Sequence, residues 1–103
     1  MMRKAQIFVH DRKAGILEEI KGRHYQFFYD PNYDGPSVSL TMPIEKKCYE
    51  FDEFPPFFEG LLPEGGMLEA LLKKYKIDRN DYFSQLMRVG QDVVGSVTIE
   101  QLI

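Results

Sequence analysis

The side chains best suited to chemistry in this chain are one cysteine and two histidines, and the sequence keeps them apart. Cys48 follows Lys46 and Lys47, and neighbouring cations favour the nucleophilic thiolate. His10 and His24 lie far from Cys48 along the chain, so no base stands beside the thiol in sequence. One cysteine and two separated histidines do not form the ligand cluster of a structural zinc. The sequence therefore predicts no metal site and leaves a reactive Cys48 as one enzymatic alternative.

Acidic and aromatic side chains dominate residues 49–64, which contain no Lys or Arg. Carboxylates this close in sequence could work as a general acid and base, which is the other enzymatic alternative. A charge run on a small domain is ordinarily a solvated face or an interaction surface. The acidic residues of this stretch are Glu50, Asp52, Glu53, Glu59 and Glu64. Its composition favours a solvated face or an interaction surface over a catalytic centre.

The motifs that hold a nucleotide or a nucleophile in common enzyme classes are missing from the sequence. It has no Gly-x-x-x-x-Gly-Lys-Ser/Thr loop, Gly-x-Gly-x-x-Gly turn, paired-His zinc motif or Gly-x-Ser-x-Gly elbow. A kinase catalytic loop and an Asp-Phe-Gly magnesium motif are also missing. Because nothing in the sequence positions a phosphoryl donor, we expect that the chain is not an enzyme and needs no cofactor.

The length and the net charge of the chain limit the classes of partner that it can bind. At 103 residues and 12.1 kDa the chain corresponds to one domain, residues 1–103. Thirteen Lys and Arg against sixteen Asp and Glu give a net charge of −3, the wrong sign for neutralising phosphates. No apolar run approaches the roughly 20 residues that cross a bilayer. A single cysteine indicates a reducing compartment. We therefore expect a cytoplasmic protein that binds neither nucleic acid nor membrane directly.

Alternation of apolar and polar residues predicts strands in the first half of the chain. A hairpin is expected around a polar turn at 11–15. The aromatic segment 24–29 is typical of a half-buried strand, and a turn rich in Pro, Asn, Asp and Gly follows it. A further strand is predicted at 37–42. The side chains expected to share one face of that strand are Val38, Leu40 and Met42.

Helical spacing replaces alternation in the second half. After Gly65-Gly66 an amphipathic helix is predicted, with an apolar stripe formed by Leu68, Leu71, Leu72 and Tyr75. A second helix is predicted with Asp78 or Asn80 as its N-cap and Gly90 as a left-handed C-terminal cap. The apolar stripe of this second helix is Tyr82, Phe83, Leu86 and Met87.

A closing strand is predicted at 93–99, where apolar residues again alternate. Together these elements predict an α+β fold: a small antiparallel β-sheet or partly open barrel with two α-helices near the C-terminal end.

The segment 59–66, called the 59–66 loop below, is the candidate partner-binding site. Its residues are Glu59, Gly60, Leu61, Leu62, Pro63, Glu64, Gly65 and Gly66. In one interpretation the loop only connects two elements: its leucines pack against the sheet, and its glycines give the backbone the conformational freedom to turn. In the other it is a presented recognition loop with Glu64 at its tip and Leu62-Pro63 as a stiff apolar shoulder. The residues alone leave both interpretations open.

Two stretches resemble the signatures of the HipA amino-terminal domain family. The first is Phe57-Phe58-Glu59-Gly60-Leu61-Leu62-Pro63-Glu64-Gly65, followed by a helix; the second is Gly90-Gln91-Asp92-Val93-Val94-Gly95-Ser96-Val97. The early hairpin, the aromatic strand and the stretch Ser39-Leu40-Thr41-Met42-Pro43 agree with the family as well. The resemblance covers essentially the whole chain, and the first stretch is its specific part.

The resemblance implies a place in a bacterial toxin–antitoxin system. In HipA proteins this domain precedes a serine/threonine kinase that acts as a toxin. The sequence stops at Ile103, where a HipA would enter its kinase core, so we expect no phosphoryl transfer by this chain. As a free-standing domain it resembles the HipS antitoxins of tripartite HipB, HipS and HipT systems.

The expected function is therefore that of an antitoxin that binds and inhibits a HipT-like kinase, with a HipB-like DNA-binding protein as a partner through the complex. The 59–66 loop is the expected contact with the kinase. The alternative is a severed amino-terminal subdomain of a full-length HipA, which packs on its own kinase core and has no role in trans.

Overall fold

A five-stranded antiparallel sheet is the central element of the structure, a computed structural model that describes residues 3–21, 24–91 and 96–102. The strands are β1 (Arg3–Val9), β2 (Arg12–Lys21), β3 (His24–Tyr29), β4 (Cys48–Phe51) and β5 (Val97–Gln101). The helices are α1 (Pro56–Glu59), α2 (Gly65–Tyr75) and α3 (Tyr82–Val89). The α+β class is confirmed, and three helices take the place of the two predicted because the short α1 has no stripe that periodicity can detect.

The strands are ordered β4-β3-β2-β1-β5, and every neighbouring pair is antiparallel. The last strand returns to pair with the first, placing Ile99 opposite Ile7. No pairing joins β4 to β5 among the described residues, so the sheet is open and not a closed barrel. None of the helices in the described part of the chain has the length and apolarity to traverse a lipid bilayer.

One face of the sheet carries the core. Its buried strand residues alternate as the sequence predicted, and α1 and α3 cover them with apolar side chains. From the strands the core receives Ala5, Ile7, Val9, Ala14, Leu17, Tyr25, Phe27, Tyr29, Val97 and Ile99, and from the helices Phe58, Phe83 and Leu86. Since side chains of both layers are fully enclosed, α1 and α3 are fixed relative to the sheet by packing.

The turn of the first hairpin lies earlier than predicted. His10 and Asp11 both have positive φ, 49° and 65°, and β2 begins directly at Arg12. A two-residue turn with both residues in the left-handed region matches the twist of the flanking strands. Of the turn predicted at 11–15 only Asp11 belongs to the turn, because residues 12–15 are already part of β2, whose start period two alone does not define.

The strand predicted at 37–42 is wrong. The segment contains one isolated bridge, between Ser39 and Met42, and Leu40 is 98% exposed instead of sharing a face with its neighbours. The hydroxyl of Tyr29 makes two hydrogen bonds to this segment. It accepts from the backbone nitrogen of Val38 at 2.9 Å and donates to the carbonyl of Met42. Burial raises the pKa of this hydroxyl, so it stays a neutral donor. The edge of β3 that the predicted strand would use is occupied by β4.

The ends of α3 also differ from the prediction. Asp81, not Asp78 or Asn80, is the N-cap, and its carboxylate accepts from the backbone nitrogen of Ser84 at 3.1 Å. Gly90 is right-handed, with φ −54°. Glycine is required here because β5 approaches closely: a Cβ on Gly90 would lie 2.4 Å from the carbonyl oxygen of Ile99.

Of the strand predicted at 93–99, residues 97–99 are confirmed and 93–95 lie outside the described residues.

Asp81 also links α3 to the first strand. Arg3 donates to Glu19 at 2.7 and 2.8 Å, to Asp81 at 3.0 Å and to the hydroxyl of Ser84 at 2.7 Å. Burial acts to raise the pKa of Asp81, but the hydrogen bonds from Arg3 and Ser84 outweigh it and hold that pKa below its usual range. The charged carboxylate is thus favoured in the folded state.

We predict that Asp81→Ala lowers the free energy of unfolding by about 1–2 kcal/mol at neutral pH, since an N-cap and an ion pair are lost together. Because the folded-state pKa is depressed, this stabilisation is complete above the ordinary carboxyl pKa and is lost as pH falls through the folded value. Urea unfolding of both proteins from pH 7 to pH 3 measures it. Asp81→Asn, which keeps a cap without the charge, should fall between the two. A difference that grows in acid would contradict this account.

Candidate functional site

The base of the 59–66 loop is anchored by α1. Pro56 occupies the first helical position, where its fixed φ suits the helix and its missing N–H costs nothing. Phe58 is 0% exposed and its ring lies 6.0 Å from that of Phe27 in the sheet and 5.2 Å from that of Phe57. The residue immediately before the loop is therefore fixed in the core.

The first half of the loop continues as hydrogen-bonded turns. The backbone nitrogen of Gly60 donates to Pro56, that of Leu61 to Phe58 and that of Leu62 to Glu59, at 3.0, 3.1 and 3.1 Å. Leu61 and Leu62 are half-buried and pack against the core. These two leucines hold the loop to the body of the protein, which agrees with the connector interpretation for this part.

The end of the loop, residues 64–66, is exposed to solvent. Glu64 has extended backbone angles, φ −128° and ψ 166°, and as N-cap of α2 it makes no side-chain capping bond. Gly65 has φ +59°, which favours glycine. A Cβ built on Gly65 or Gly66 would meet no atom within 4 Å. The tip formed by residues 64–66 therefore projects into open space, as the recognition interpretation requires.

The helix that follows the tip is only loosely covered. None of the residues of α2 is buried, and the predicted stripe is half-buried at Leu68, Leu71 and Leu72. At the far end, Lys76 ends the helix with φ 56°, and the guanidinium of Arg88 lies 4.4 Å from the ring centre of Tyr75. The stripe spacing correctly predicted the helix, but spacing does not reveal how much protein lies against it.

Charge is distributed unequally along this region. Glu59 and Glu64 are exposed, and neither forms an ion pair within the described ranges. The positive end of the α2 dipole lies next to Glu64, which favours a carboxylate there. The cations of the helix, Lys73 and Lys74, belong to its last turn. The tip therefore presents negative charge that nothing in the described structure neutralises.

The other candidates from the sequence do not assemble into a site. The Cys48 sulfur is half-buried and accepts from Nε2 of Gln26 at 2.9 Å. His10 lies in the β1–β2 turn and His24 begins β3, at opposite ends of the sheet; the Nδ1 of His24 lies 3.2 Å from Asp52. No cluster of three or more potential metal ligands occurs among residues 3–21, 24–91 and 96–102.

Sequence reasoning missed Met67, which is 76% exposed in the first turn of α2, beside the tip. It precedes Leu68 and lies off the apolar stripe. A large apolar residue outside the stripe at the start of a helix is the signal that indicates it. Met67 adds exposed apolar surface directly next to Gly66.

Comparison with known proteins gives three results. The family model described as HipA N-terminal domain matches residues 5–100. An uncharacterized protein of Haemophilus influenzae is 32% identical over 101 residues, which cover 98% of this chain and 94% of that protein. A solved structure titled N-terminal domain of HipA toxin is similar with a TM-score of 0.76 and 30% identity, over 98% of this chain and 93% of that chain.

Proposed function

This chain belongs to the HipA N-terminal domain family, which fits a toxin–antitoxin context, and we propose that it is an antitoxin that binds and inhibits a HipT-like serine/threonine kinase. In this proposal the chain itself is not an enzyme. It acts in the cytoplasm, and a HipB-like DNA-binding protein joins it through the complex with the kinase.

The observation that carries the proposal is the construction of the 59–66 loop. Its base is fixed by a fully buried Phe58, and its tip is exposed, with open space where a Cβ of Gly65 or Gly66 would lie. A tip held in one conformation loses little entropy on binding, which is the advantage of a preorganised contact. A segment that served only as a connector would gain nothing from a bare, charged tip.

Charge supports the kinase as the target. A kinase active site gathers positive potential from its phosphate-binding lysine, its backbone donors and its magnesium ions. The carboxylate of Glu64 is attracted to such a site and can steer the encounter. Exposed ion pairs contribute only about 0–1 kcal/mol each. The apolar surface of Leu62, Pro63 and Met67 beside the tip would supply the larger share of the affinity.

The Haemophilus relative supports a role for the domain on its own. The alignment covers 94% of that protein, so a protein of nearly this length exists without an attached kinase. The alternative, a subdomain that only packs against its own kinase core, draws support from the structural similarity to the N-terminal domain of HipA toxin. The two differ in whether binding abolishes kinase activity.

The test is to mix the purified chain with a HipT-like kinase and measure complex formation and kinase autophosphorylation together. We expect the two proteins to co-elute in gel filtration and phosphorylation to fall in proportion to occupancy. Cells expressing the kinase should regain growth when this chain is co-expressed. A stable complex with full kinase activity would support the structural alternative, and absence of any complex would contradict both.

A further inference from the structure

A groove lies at the end of β4, between residues 50–54 and the helices α1 and α3. It has a cavity of about 540 Å³, with a floor of Phe51, Phe54, Pro56 and Tyr82. A smaller cavity of about 200 Å³ shares Phe54 and Tyr82 and continues the groove towards Tyr25 and Asn80. Phe51 and Tyr82 are only half-buried, so aromatic surface is accessible from solvent.

No strand of the described residues pairs with the outer edge of β4, next to this groove. The backbone nitrogen of Tyr29 donates to Lys47, and β3 pairs Phe27 with Tyr49, so hydrogen-bonded pairs alternate along β4 from that point. The N–H and C=O of Cys48 and Glu50 therefore point away from β3. No described backbone group bonds them.

The opposite edge of the sheet is β5, where residues of the same chain bond to the outer backbone groups of Ile99. In β5 the backbone nitrogen of Ile99 donates to Gly90 at 3.0 Å, and its carbonyl accepts from the side chain of Gln91 at 2.9 Å. At Ile99 the β5 edge is thus covered by the chain itself, whereas Cys48 and Glu50 on the β4 edge have no partner among the described backbone groups. An open edge is the template to which an extended peptide adds as a further strand.

Charge identifies the occupant. The larger cavity is lined by Glu50, Asp52, Glu53 and Glu59 and by no Lys, Arg or His. The only contact between any of these four carboxylates and a basic side chain in the described structure joins Asp52 to the Nδ1 of His24. Aromatic faces beside carboxylates suit a guanidinium or ammonium group, which can stack and pair at once. The lining of a second copy offers no cation, so two copies would meet with like charges, which is unfavourable.

We propose that this groove binds an extended segment of a partner protein that carries Arg or Lys, with its backbone added to the edge of β4 and its cations over the aromatic floor. Cys48 and Glu50 supply the backbone bonds, and Asp52 and Glu53 supply the charge. The inference does not depend on the kinase proposal, because it uses neither Glu64 nor the tip.

The probe for this proposal is a fluorescent Val-Arg-Val-Arg-Val-Arg peptide, in which alternation places the arginines on one face of a strand. We expect saturable binding by fluorescence anisotropy and slower hydrogen exchange at the amides of Cys48 and Glu50. The double variant Asp52→Asn/Glu53→Gln should weaken binding about tenfold, as two lost charge contacts imply. These side chains are exposed, so the variant should fold normally.

The matched control is Glu45→Gln/Glu100→Gln, which removes the same charge from exposed positions outside the groove. It should bind like the parent. A peptide with proline in place of the central valine, which cannot donate to the ladder, should bind weakly. Equal weakening by both double variants, unchanged exchange at Cys48 and Glu50, or a dimer through β4 in sedimentation would each overturn the proposal.

Discussion

Phe58→Ala is expected to lower the free energy of unfolding by about 3–5 kcal/mol, which is much of the stability of a domain of this size. Phe58 is 0% exposed and packs against Phe27 of β3, so its truncation leaves a cavity that a rigid β-strand cannot fill. Urea unfolding gives the free energy, and thermal melting should show a fall in Tm of at least about 10 °C.

The control for this prediction is Phe57→Ala at the neighbouring position. Phe57 is half-buried and contacts the same aromatic cluster from its border, so its loss should be clearly smaller. Both variants shorten the same residue type at the base of the loop. If the two variants were equally destabilised, the loop would not be anchored through Phe58 as described.

Glu64→Lys is expected to abolish inhibition of the kinase while leaving the fold intact. Reversal of the charge brings like charges together at the interface, which costs several kcal/mol and corresponds to a loss of affinity of roughly a hundredfold or more. Glu64 makes no capping bond and no ion pair in the described structure. Its replacement therefore costs only the favourable interaction with the α2 dipole, about 0.3–1 kcal/mol.

Melting of the variant and growth rescue of cells that express the kinase measure the two effects separately. Glu100→Lys, an exposed position on the distant edge strand β5, carries the same change of charge and should rescue like the parent. Glu64→Gln should lie between, because it removes attraction without adding repulsion. If Glu64→Lys melts like the parent and still rescues growth fully, the loop is a connector. The inhibitory surface would then lie elsewhere, on the exposed faces of the helices.

Phe58→Ala and Glu64→Lys together separate folding from recognition. The first should lose inhibition only in proportion to the unfolded fraction, because its tip is unchanged. The second should lose inhibition while fully folded. This difference follows from the structure of the 59–66 loop, in which the fixed base and the bare tip are a few residues apart.

The sequence by itself determined the elements whose pattern is local. Alternation placed the aromatic strand at 24–29, and helical spacing placed α2 and α3, because each of these buries or half-buries one face of a regular repeat. The run from Phe57 to Gly66 was enough to locate the candidate loop, since glycine, proline and acidic residues interrupt both periods there. The family resemblance on these residues is also confirmed.

Only the tertiary structure decided which segments of the chain contact one another. The segment 37–42 alternates like a strand, yet β4 occupies the edge it would need, because a strand requires a free partner as well as a pattern. Gly90 ends α3 as expected but lacks the predicted left-handed conformation, and it is required instead by the close approach of Ile99 in β5. The Arg3 to Asp81 contact joins residues separated by most of the sequence, which no local window can show.

The same limit applies to the surface. A stripe at helical spacing predicts that α2 has an apolar face, but how much of that face is covered depends on neighbours that the spacing does not contain, and α2 buries no residue completely. Exposure of the loop tip and of the β4 edge is likewise a property of what other segments leave uncovered. Burial is a sum over contacts between distant parts of the chain, so it is settled only when the chain has folded.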